Sequence, residues 1–335
     1  MPTDIAIDIG TSYTSLFVRG AGVVLREPSV VAVSGTKNKV KAVGFDAVEM
    51  MGKNPDNVRV LFPVKDGYIA DTQGASLMLR KFLEKITPPN ALFYPRFKGV
   101  LAAPTGLAPE ERVKYEQVCN TAGCGEVTMA DSILMSGLGI NLPIERAFGG
   151  LVVDIGGGIT QIASISMCGV LSGCAVGING EMMDKALSDF ILGKYRCRVG
   201  LKTLRKIKTD IGSLFENDTA TTTVSGVDAA SKELKTFVIT AADVGEALRV
   251  YYSKIADSIE RVINKCPPEA AAEIHRSGIH ITGGAAAIRG LEAFMSRKLK
   301  LAVSVPHYPH LATITGAGKV LTDRDLLAEI IKSKK

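Results

Sequence analysis

The sequence contains no tryptophan, and only four of its 335 residues are histidine. Its six cysteines include no Cys-x-x-Cys pair, so the spacing that typifies zinc sites is absent. We therefore predict reduced thiols, most of them buried as small apolar side chains. No apolar run approaches the roughly 18 residues of a membrane-spanning helix, and a strand pattern begins at Asp4, too early for a signal peptide. These absences predict a cytoplasmic protein.

The composition excludes disorder, since 46% of the residues are apolar and only 22% are charged. The formal net charge is +6, but the basic residues are scattered along the chain. A nucleic-acid-binding protein would normally add a known motif or interleaved stacking aromatics, and neither is present. We therefore expect no nucleic-acid partner. At about 150 residues per domain, the length predicts two domains, or one large folded unit with inserted subdomains.

Strand and helix patterns alternate along the chain, which is typical of an α/β fold. An apolar stripe with spacings of three and four predicts a helix over Ala75–Ile86, and a strand follows at Gly99–Ala103. In the second half, Thr240 and Asp243 form the signature of a helix start. We predict that this helix closes at Pro267-Pro268 and that strand, helix, strand and helix follow.

One pattern occurs twice. The segments IAIDIGTSYTSLFV (Ile5–Val18) and LVVDIGGGITQIAS (Leu151–Ser164) share an apolar strand, an aspartate, a glycine, small residues, a threonine and a second strand. Self-similarity at this distance predicts two halves built on the same plan.

The repeated loops carry the chemistry. In each copy the strand ends in a carboxylate, Asp8 or Asp154, and the chain turns on glycine and small residues, which leaves backbone N–H groups free to bind an anion. Carboxylate and phosphate repel, so a magnesium ion with its waters should lie between them. A single copy would be interpreted as an ordinary hairpin, but the duplication favours a nucleotide held from both sides. A third glycine segment, Ile279–Gly290, follows a strand and opens a helix, and we place it near the adenosine of ATP.

These residues resemble the actin and heat-shock-chaperone ATPase superfamily, and within it the bacterial actin family of MreB and Mbl. The resemblance covers nearly the whole chain. It is carried by DIGTSYT (8–14), LREPSVVAV (25–33), AVGFDAVEMMG (42–52), FPVKDGYIAD (62–71), APTG (103–106), VVDIGGG (152–158) and ITGGAAAIRGL (281–291).

The resemblance implies an actin-like α/β ATPase fold, with two duplicated ribonuclease-H-like domains around a nucleotide cleft. Domain I would cover 1–145, with a small subdomain at about 30–75 and a return segment at about 311–335. Domain II would cover 146–310, with a small subdomain at about 180–245. The family binds ATP and magnesium and stacks head to tail into paired protofilaments. These filaments lie on the inner face of the cell membrane and organise the wall-elongation membrane proteins that maintain rod shape.

The resemblance also assigns roles to residues. Asp8 and Asp154 would bind magnesium through water and, with Asp131 and Ser132, form the catalytic set. Leu92, Phe93 and Tyr94, in a proline-bounded loop, would insert into the membrane. The alternative is that these apolar side chains fold back onto the core. The nucleotide-binding residues would be Gly10, Thr11, Ser12, Tyr13, Gly156, Gly157, Gly158, Arg205, Lys206, Lys208, Gly283, Gly284, Ala285, Ala286, Ala287 and Ile288.

The chain departs from the family pattern at the catalytic position. Family members carry Glu-Glu-Pro where this chain has Asp131, Ser132 and Ile133. A serine cannot accept a proton from water at neutral pH, so we expect slow or absent hydrolysis unless Asp131 takes over. In the second loop Ile159 replaces a threonine and Gln161 a glutamate.

The adenosine side departs as well. The family's Glu-Glu-Ile-Lys is here Arg205 to Lys208, which removes the acids expected near the ribose, and Ala285 replaces a glycine. We interpret the pattern as retained nucleotide binding with turnover in doubt.

Three alternatives stay open. The departures favour a divergent paralogue with a regulatory or segregation role. A phosphotransferase of the same superfamily shares the duplicated loops but needs an acceptor pocket with a general base. A heat-shock-type chaperone ATPase would need a peptide-binding domain, and the ATPase-like pattern already runs to about Val320.

Overall fold

A computed structural model of the protein describes residues 3–35, 38–88 and 96–333. The loop residues Leu92, Phe93 and Tyr94 lie outside these ranges. The strands of the first half are Thr3–Ile9 (β1), Tyr13–Val18 (β2), Gly22–Pro28 (β3), Val31–Ser34 (β4), Lys39–Val43 (β5), Val58–Leu61 (β6), Val64–Lys65 (β7), Tyr68–Ile69 (β8), Phe97–Ala103 (β9) and Cys124–Asp131 (β10). Its helices are Phe45–Glu49 (α1), Thr72–Ile86 (α2), Pro109–Ala122 (α3) and Ser132–Gly139 (α4).

The second half continues the alternation. Its strands are Gly150–Ile155 (β11), Thr160–Ser166 (β12), Gly169–Val176 (β13), Cys197–Arg198 (β14), Thr221–Asp228 (β15), Leu234–Thr240 (β16), Ile279–Thr282 (β17) and Val303–Ser304 (β18). Its helices are Gly180–Tyr195 (α5), Leu201–Ile211 (α6), Ala241–Ile263 (α7), Pro268–Ser277 (α8), Leu291–Leu299 (α9), Ala312–Val320 (α10) and Arg324–Lys332 (α11). Two 3₁₀ helices cover Gly284–Ala287 and Pro309–Leu311.

The two large sheets have the same construction. One has the strand order β10-β9-β1-β2-β3 and the other β18-β17-β11-β12-β13. In each, the first strand of the half pairs antiparallel with the second and parallel with a strand that arrives later in the chain. The sequence repeat is therefore confirmed as a structural repeat, with β1 and β11 at equivalent central positions.

Each half also carries a three-stranded sheet, β5-β4-β6 in the first and β14-β15-β16 in the second. These sheets fall inside the ranges expected for the small subdomains, although the domain boundaries stay a prediction. Separate apolar clusters fill the two halves: Phe82 and Tyr115 are fully buried in one, and Leu248 and Tyr252 in the other.

Local sequence explains why the predicted helices form. The apolar stripe of α2 buries Met78, Leu79 and Phe82, and Asp71 caps the helix by accepting a hydrogen bond from the N–H of Gly74 at 2.9 Å. The capping box predicted for Thr240 and Asp243 is present at the start of α7.

The expectation for the segment after α7 was wrong in one respect. The helix ends at Ile263, and Pro268 begins a further helix, α8, before the next strand. Proline lacks a backbone N–H, which the first turn of a helix does not need, so a proline pair can open a helix as well as close one.

Helices α4 and α10 lie between the two large sheets. Their apolar side chains form a third cluster that takes in Val100 of β9 and Val152 of β11. The helices cross in direct backbone contact, because a Cβ added at Gly139 would lie 1.9 Å from the carbonyl oxygen of Ala312 and one at Gly316 would lie 1.9 Å from that of Met135. We call this pair the crossing helices.

Two of the expected absences can be compared with the described residues. All six cysteines are free, and four of them are buried. Within residues 3–35, 38–88 and 96–333, no helix combines the length and apolarity needed to cross a bilayer.

We predict that Gly316→Ala lowers the free energy of unfolding by about 1–3 kcal/mol, because its methyl group forces the crossing helices apart. The matched control is Gly193→Ala on the exposed face of α5, where an added Cβ meets nothing within 4 Å. Alanine there should be neutral or stabilising by up to about 1 kcal/mol. Urea unfolding of both variants checks the prediction, and equal midpoints would contradict it.

Candidate functional site

Two hairpin loops, Gly10–Tyr13 and Gly156–Ile159, form the centre of the site. They are closed by equivalent hydrogen bonds: the N–H of Gly10 donates to the carbonyl of Tyr13 at 3.1 Å, and the N–H of Gly156 donates to that of Ile159 at 3.0 Å. A Cβ at Gly10 or Gly156 would lie 2.8 or 2.7 Å from the accepting oxygen. Only glycine fits the first position of either loop, which explains the repeated Asp-Ile-Gly.

The loops of the two halves touch. A Cβ at Gly157 would lie 2.1 Å from Oγ of Ser12, and one at Gly158 would lie 2.1 Å from Oγ1 of Thr11. In the described part of the chain, the N–H groups of these four residues donate to no protein acceptor. Four unused amides from facing hairpins can bind the oxygens of an anion.

Neighbouring elements hold the loops in place. Thr11 accepts a hydrogen bond at 2.9 Å from the N–H of Gly67, in the turn between β7 and β8. Asn179 caps α5 and donates to the carbonyl of Gly158 at 2.7 Å. The first amides of α5 are used as well, since Gly180 and Glu181 donate to the carbonyls of Gly156 and Gly157.

Asp8 and Asp154 precede the two loops in the chain and line the same cavity, which has a volume of about 800 Å³ when the part open to solvent is included. Burial raises the pKa of Asp8 to about 7, and the negative charge of Asp154 adds to the rise, whereas Arg26 opposes it. Burial also raises the pKa of Asp154. Two carboxylates in this arrangement favour a bound cation, which would relieve their repulsion.

Hydroxyl groups from the crossing helices hold Asp154. Ser136 of α4 donates to its Oδ2 at 2.6 Å, and Thr313 of α10 donates to the same atom at 3.1 Å. These hydrogen bonds oppose the rise in the pKa of Asp154. The position of one cavity carboxylate is therefore tied to both crossing helices.

Ser132, at the position predicted to be catalytic, is buried and hydrogen-bonded. The side-chain amide of Gln161 donates to its Oγ at 2.6 Å, and the Gln161 oxygen accepts from the N–H of Thr105 at 2.8 Å. The two residues that replace family acids are thus direct partners. Neutral side chains satisfy each other here, and neither accepts a proton at neutral pH.

A second cavity, with a volume of about 920 Å³ when the part open to solvent is included, adjoins the first. The two share the loop residues Ser12, Tyr13, Gly156 and Gly157. On its wall Asp184 of α5 forms ion pairs with Lys208 and with Arg205, whose Nε lies 3.2 Å from Oδ2. This buried carboxylate neutralises part of the basic stretch that replaces the family acids.

The structure brings most predicted site residues into these two cavities. Those lining one or both are Asp8, Gly10, Thr11, Ser12, Tyr13, Ser132, Asp154, Gly156, Gly157, Gly158, Arg205, Lys208, Gly283, Gly284, Ala285 and Ala287. Four do not line either cavity in the described structure: Asp131, Lys206, Ala286 and Ile288. The expected helix begins directly after the third glycine segment, at Leu291 of α9. A four-residue 3₁₀ turn lies between β17 and this helix; Ala286 is buried within the turn and Ile288 just after it.

Several residues of the site were not expected from the sequence. Arg26 and His310 line both cavities, and Gly67, Gln161 and Thr313 line the first. Gln161 was noted only as a departure. Arg26 pairs with Ser15 across β2 and β3. The motif LREPS contains this arginine, but its position in the site follows from the strand register, which the sequence alone does not give.

Comparison with known proteins agrees with this geometry. A model of the MreB/Mbl protein family matches residues 2–329. The cell shape-determining protein MreB of Escherichia coli K12 is 33% identical over 328 residues, which are 96% of this chain and 94% of the relative. The cell shape-determining protein Mbl of Bacillus subtilis 168 is 32% identical over 325 residues, 97% of each chain.

Solved structures match along the same length. The crystal structure of MreB5 of Spiroplasma citri bound to AMPPNP covers 99% of both chains with a TM-score of 0.89 and 28% identity, and its ADP-bound form also gives 0.89. The MamK double helical filament, at 19% identity and a TM-score of 0.81, shares the fold. The predicted actin-like fold is confirmed, and the chain belongs to the MreB/Mbl family of cell shape-determining proteins.

Proposed function

We propose that this chain is a bacterial actin that binds ATP with magnesium and polymerises into membrane-associated filaments organising wall elongation and rod shape. The observation that carries the proposal is the meeting of the two equivalent hairpins, whose four unused amides face one cavity. A related MreB5 was crystallised with AMPPNP and with ADP, which supports a nucleotide as the anion.

The residues present fit magnesium. Asp8 and Asp154 supply two hard oxygen ligands or hydrogen-bond acceptors, and the described residues contain no cluster of three or more His, Cys, Asp or Glu side chains. Magnesium is commonly bound by one or two carboxylates together with phosphate oxygens and water. When bound, the ion would neutralise charge between the carboxylates and the phosphates.

Self-assembly and location rest on family membership. Stacking into open filaments requires a head-to-tail contact that does not close on itself. The MamK filament shows that this fold supports such assembly in another protein. For the membrane we propose Leu92, Phe93 and Tyr94, because a filament that presents many copies of a weak apolar loop binds through avidity. The partners we propose are the inner membrane surface and the wall-elongation proteins.

We further propose that hydrolysis is slow. Ser132 borders the cavity, but its hydroxyl is held by Gln161, and Asp131, the acid next to it, does not line the cavity. The same observation favours one second candidate: a paralogue that binds nucleotide and copolymerises with an active MreB as a regulator.

Sedimentation with ATP and magnesium, with and without anionic vesicles, tests the main proposal. We expect the protein to pellet with nucleotide and to accompany the vesicles. Gly158→Ala, whose methyl group would meet Oγ1 of Thr11 and the N–H of Gly67, should stay in the supernatant.

The matched control is Gly177→Ala, where an added Cβ meets nothing within 4 Å, and it should pellet normally. Replacing Leu92, Phe93 and Tyr94 together by serine should abolish vesicle binding and leave nucleotide-dependent pelleting unchanged. A soluble monomer under every condition would count against the filament and favour the regulatory candidate.

We predict that Asp8→Asn stabilises the nucleotide-free protein at pH 8. The pKa of this carboxyl rises from 3.8 to about 7 on folding, so the folded state binds the proton more tightly and stability falls as the pH rises between these values. Asparagine removes that decline. The gain should be about 1–2 kcal/mol, less than the full shift implies, because the carboxylate borders an open cavity.

Urea unfolding in EDTA at pH 5 and pH 8 measures the effect, and the gain should be small at pH 5. Asp4→Asn, on the same strand but paired with Arg19 outside the cleft, is the control. The Asp8 variant should also lose the magnesium dependence of ATP binding. Equal pH slopes in parent and variant would contradict the prediction.

We predict that Ser132→Glu raises the rate of phosphate release at least tenfold, since a positioned general base contributes roughly 10²–10⁴-fold. The Gln161 amide that now donates to Ser132 could donate to the new carboxylate. Ser132→Gln has the same size without a base and should stay slow. Single-turnover assays with saturating ATP compare the two, and matching rates would show that the missing acid does not limit hydrolysis.

A further inference from the structure

Arg26 places a positive charge in the cleft that no role described above uses. It lies on β3, paired with Ser15 of β2, and both residues line the first cavity. Arg26 also lines the second cavity, so it stands where the two join, beside the loop residues Ser12 and Gly157.

The guanidinium group is held without being neutralised. Its central carbon lies 3.9 Å from the centre of the Tyr13 ring, a cation–π contact. Among the described residues no carboxylate oxygen comes within 4.0 Å of it, although sixteen other ion pairs of this kind are formed. Asp8 acts on it only through a longer-range attraction. Its side chain also forms a hydrogen bond with that of Tyr13. An arginine held by one tyrosine in this way keeps its remaining edge donors for a planar or tetrahedral anion.

The neighbouring imidazole adds no second charge. His310 lines both cavities, and burial, followed by the charge of Arg26, lowers its pKa, so the ring is neutral at pH 7. Of the described residues that line both cavities, Arg26 is therefore the one that carries a positive charge, and the unused amides of the two hairpins lie in the same cavities.

We propose that Arg26 is a phosphate ligand that contacts the β-phosphate of the bound nucleotide and takes over part of the charge neutralisation otherwise supplied by magnesium. The assignment rests on the proposed nucleotide binding. We assign the β-phosphate because Arg26 lies between the two cavities. The cavity with the paired carboxylates would hold the magnesium-bound end of the triphosphate, and the cavity with Asp184 would hold the adenosine.

Calorimetric titration of adenosine, AMP, ADP and ATP tests the assignment in Arg26→Gln, with Arg19→Gln as the matched control. Arg19 lies on the neighbouring chain segment, pairs with Asp4 and is outside both cavities. Removing a charged hydrogen-bond donor should weaken ADP and ATP binding roughly ten- to hundredfold. AMP and adenosine should change less than about threefold on the same scale.

Two further measurements complete the test. The loss of ADP affinity in Arg26→Gln should be larger in EDTA than with magnesium, and Arg26→Lys should recover part of it. Unchanged ADP and ATP affinities would overturn the proposal. An equal loss for adenosine would overturn it too, since Arg26 would then act on the fold rather than on phosphate. If the parent protein binds no nucleotide, the proposed function itself fails, and that outcome is visible before any variant is made.

Discussion

The constraint on which this structure depends is the enforced proximity of two like charges. Asp8 and Asp154 end equivalent central strands of the two halves, and burial with mutual repulsion raises the pKa of Asp8 to about 7. Burying two carboxylates next to each other destabilises the folded state unless positive electrostatic potential nearby offsets their repulsion. The hairpin amides and Arg26 supply part of it, and under the proposed function a bound magnesium ion would supply the rest.

Much of this arrangement was accessible from the sequence because glycine and aspartate in the repeated segments are fixed by short-range geometry. Gly10 and Gly156 must each approach the carbonyl oxygen of the residue three positions later. This requirement involves only neighbouring residues, so a short sequence motif reveals it. The contacts of Arg26, Ser136 and Thr313 depend on strand register and helix crossing between distant segments, which no local pattern reports. The 3₁₀ turn between β17 and α9 was not expected either, since glycine after a strand permits several geometries.

The departures from the family pattern become coherent once side chains are placed. In the sequence, Ser132 and Gln161 are two separate losses of an acidic side chain. In the structure they form one hydrogen-bonded pair of neutral side chains. The basic stretch at Arg205 lacks the acids expected near a ribose, but Asp184 forms an ion pair with Arg205 and supplies a carboxylate there. The residues predicted for nucleotide binding and those predicted for cleavage are different. The chain departs from the family pattern in both sets, at Arg205 and Ala285 in the first and at Ser132 in the second.

The glycine contacts of the crossing helices make a rigid contact between the two halves of the molecule. Backbone rests on backbone at Gly139 and Gly316, with no rotatable side chain between to absorb a displacement. The same two helices supply the hydroxyls that grip Asp154. Because both helices hold that carboxylate and their backbones are in contact, we expect a displacement of Asp154 to move the two helices together instead of being absorbed by side-chain rotation.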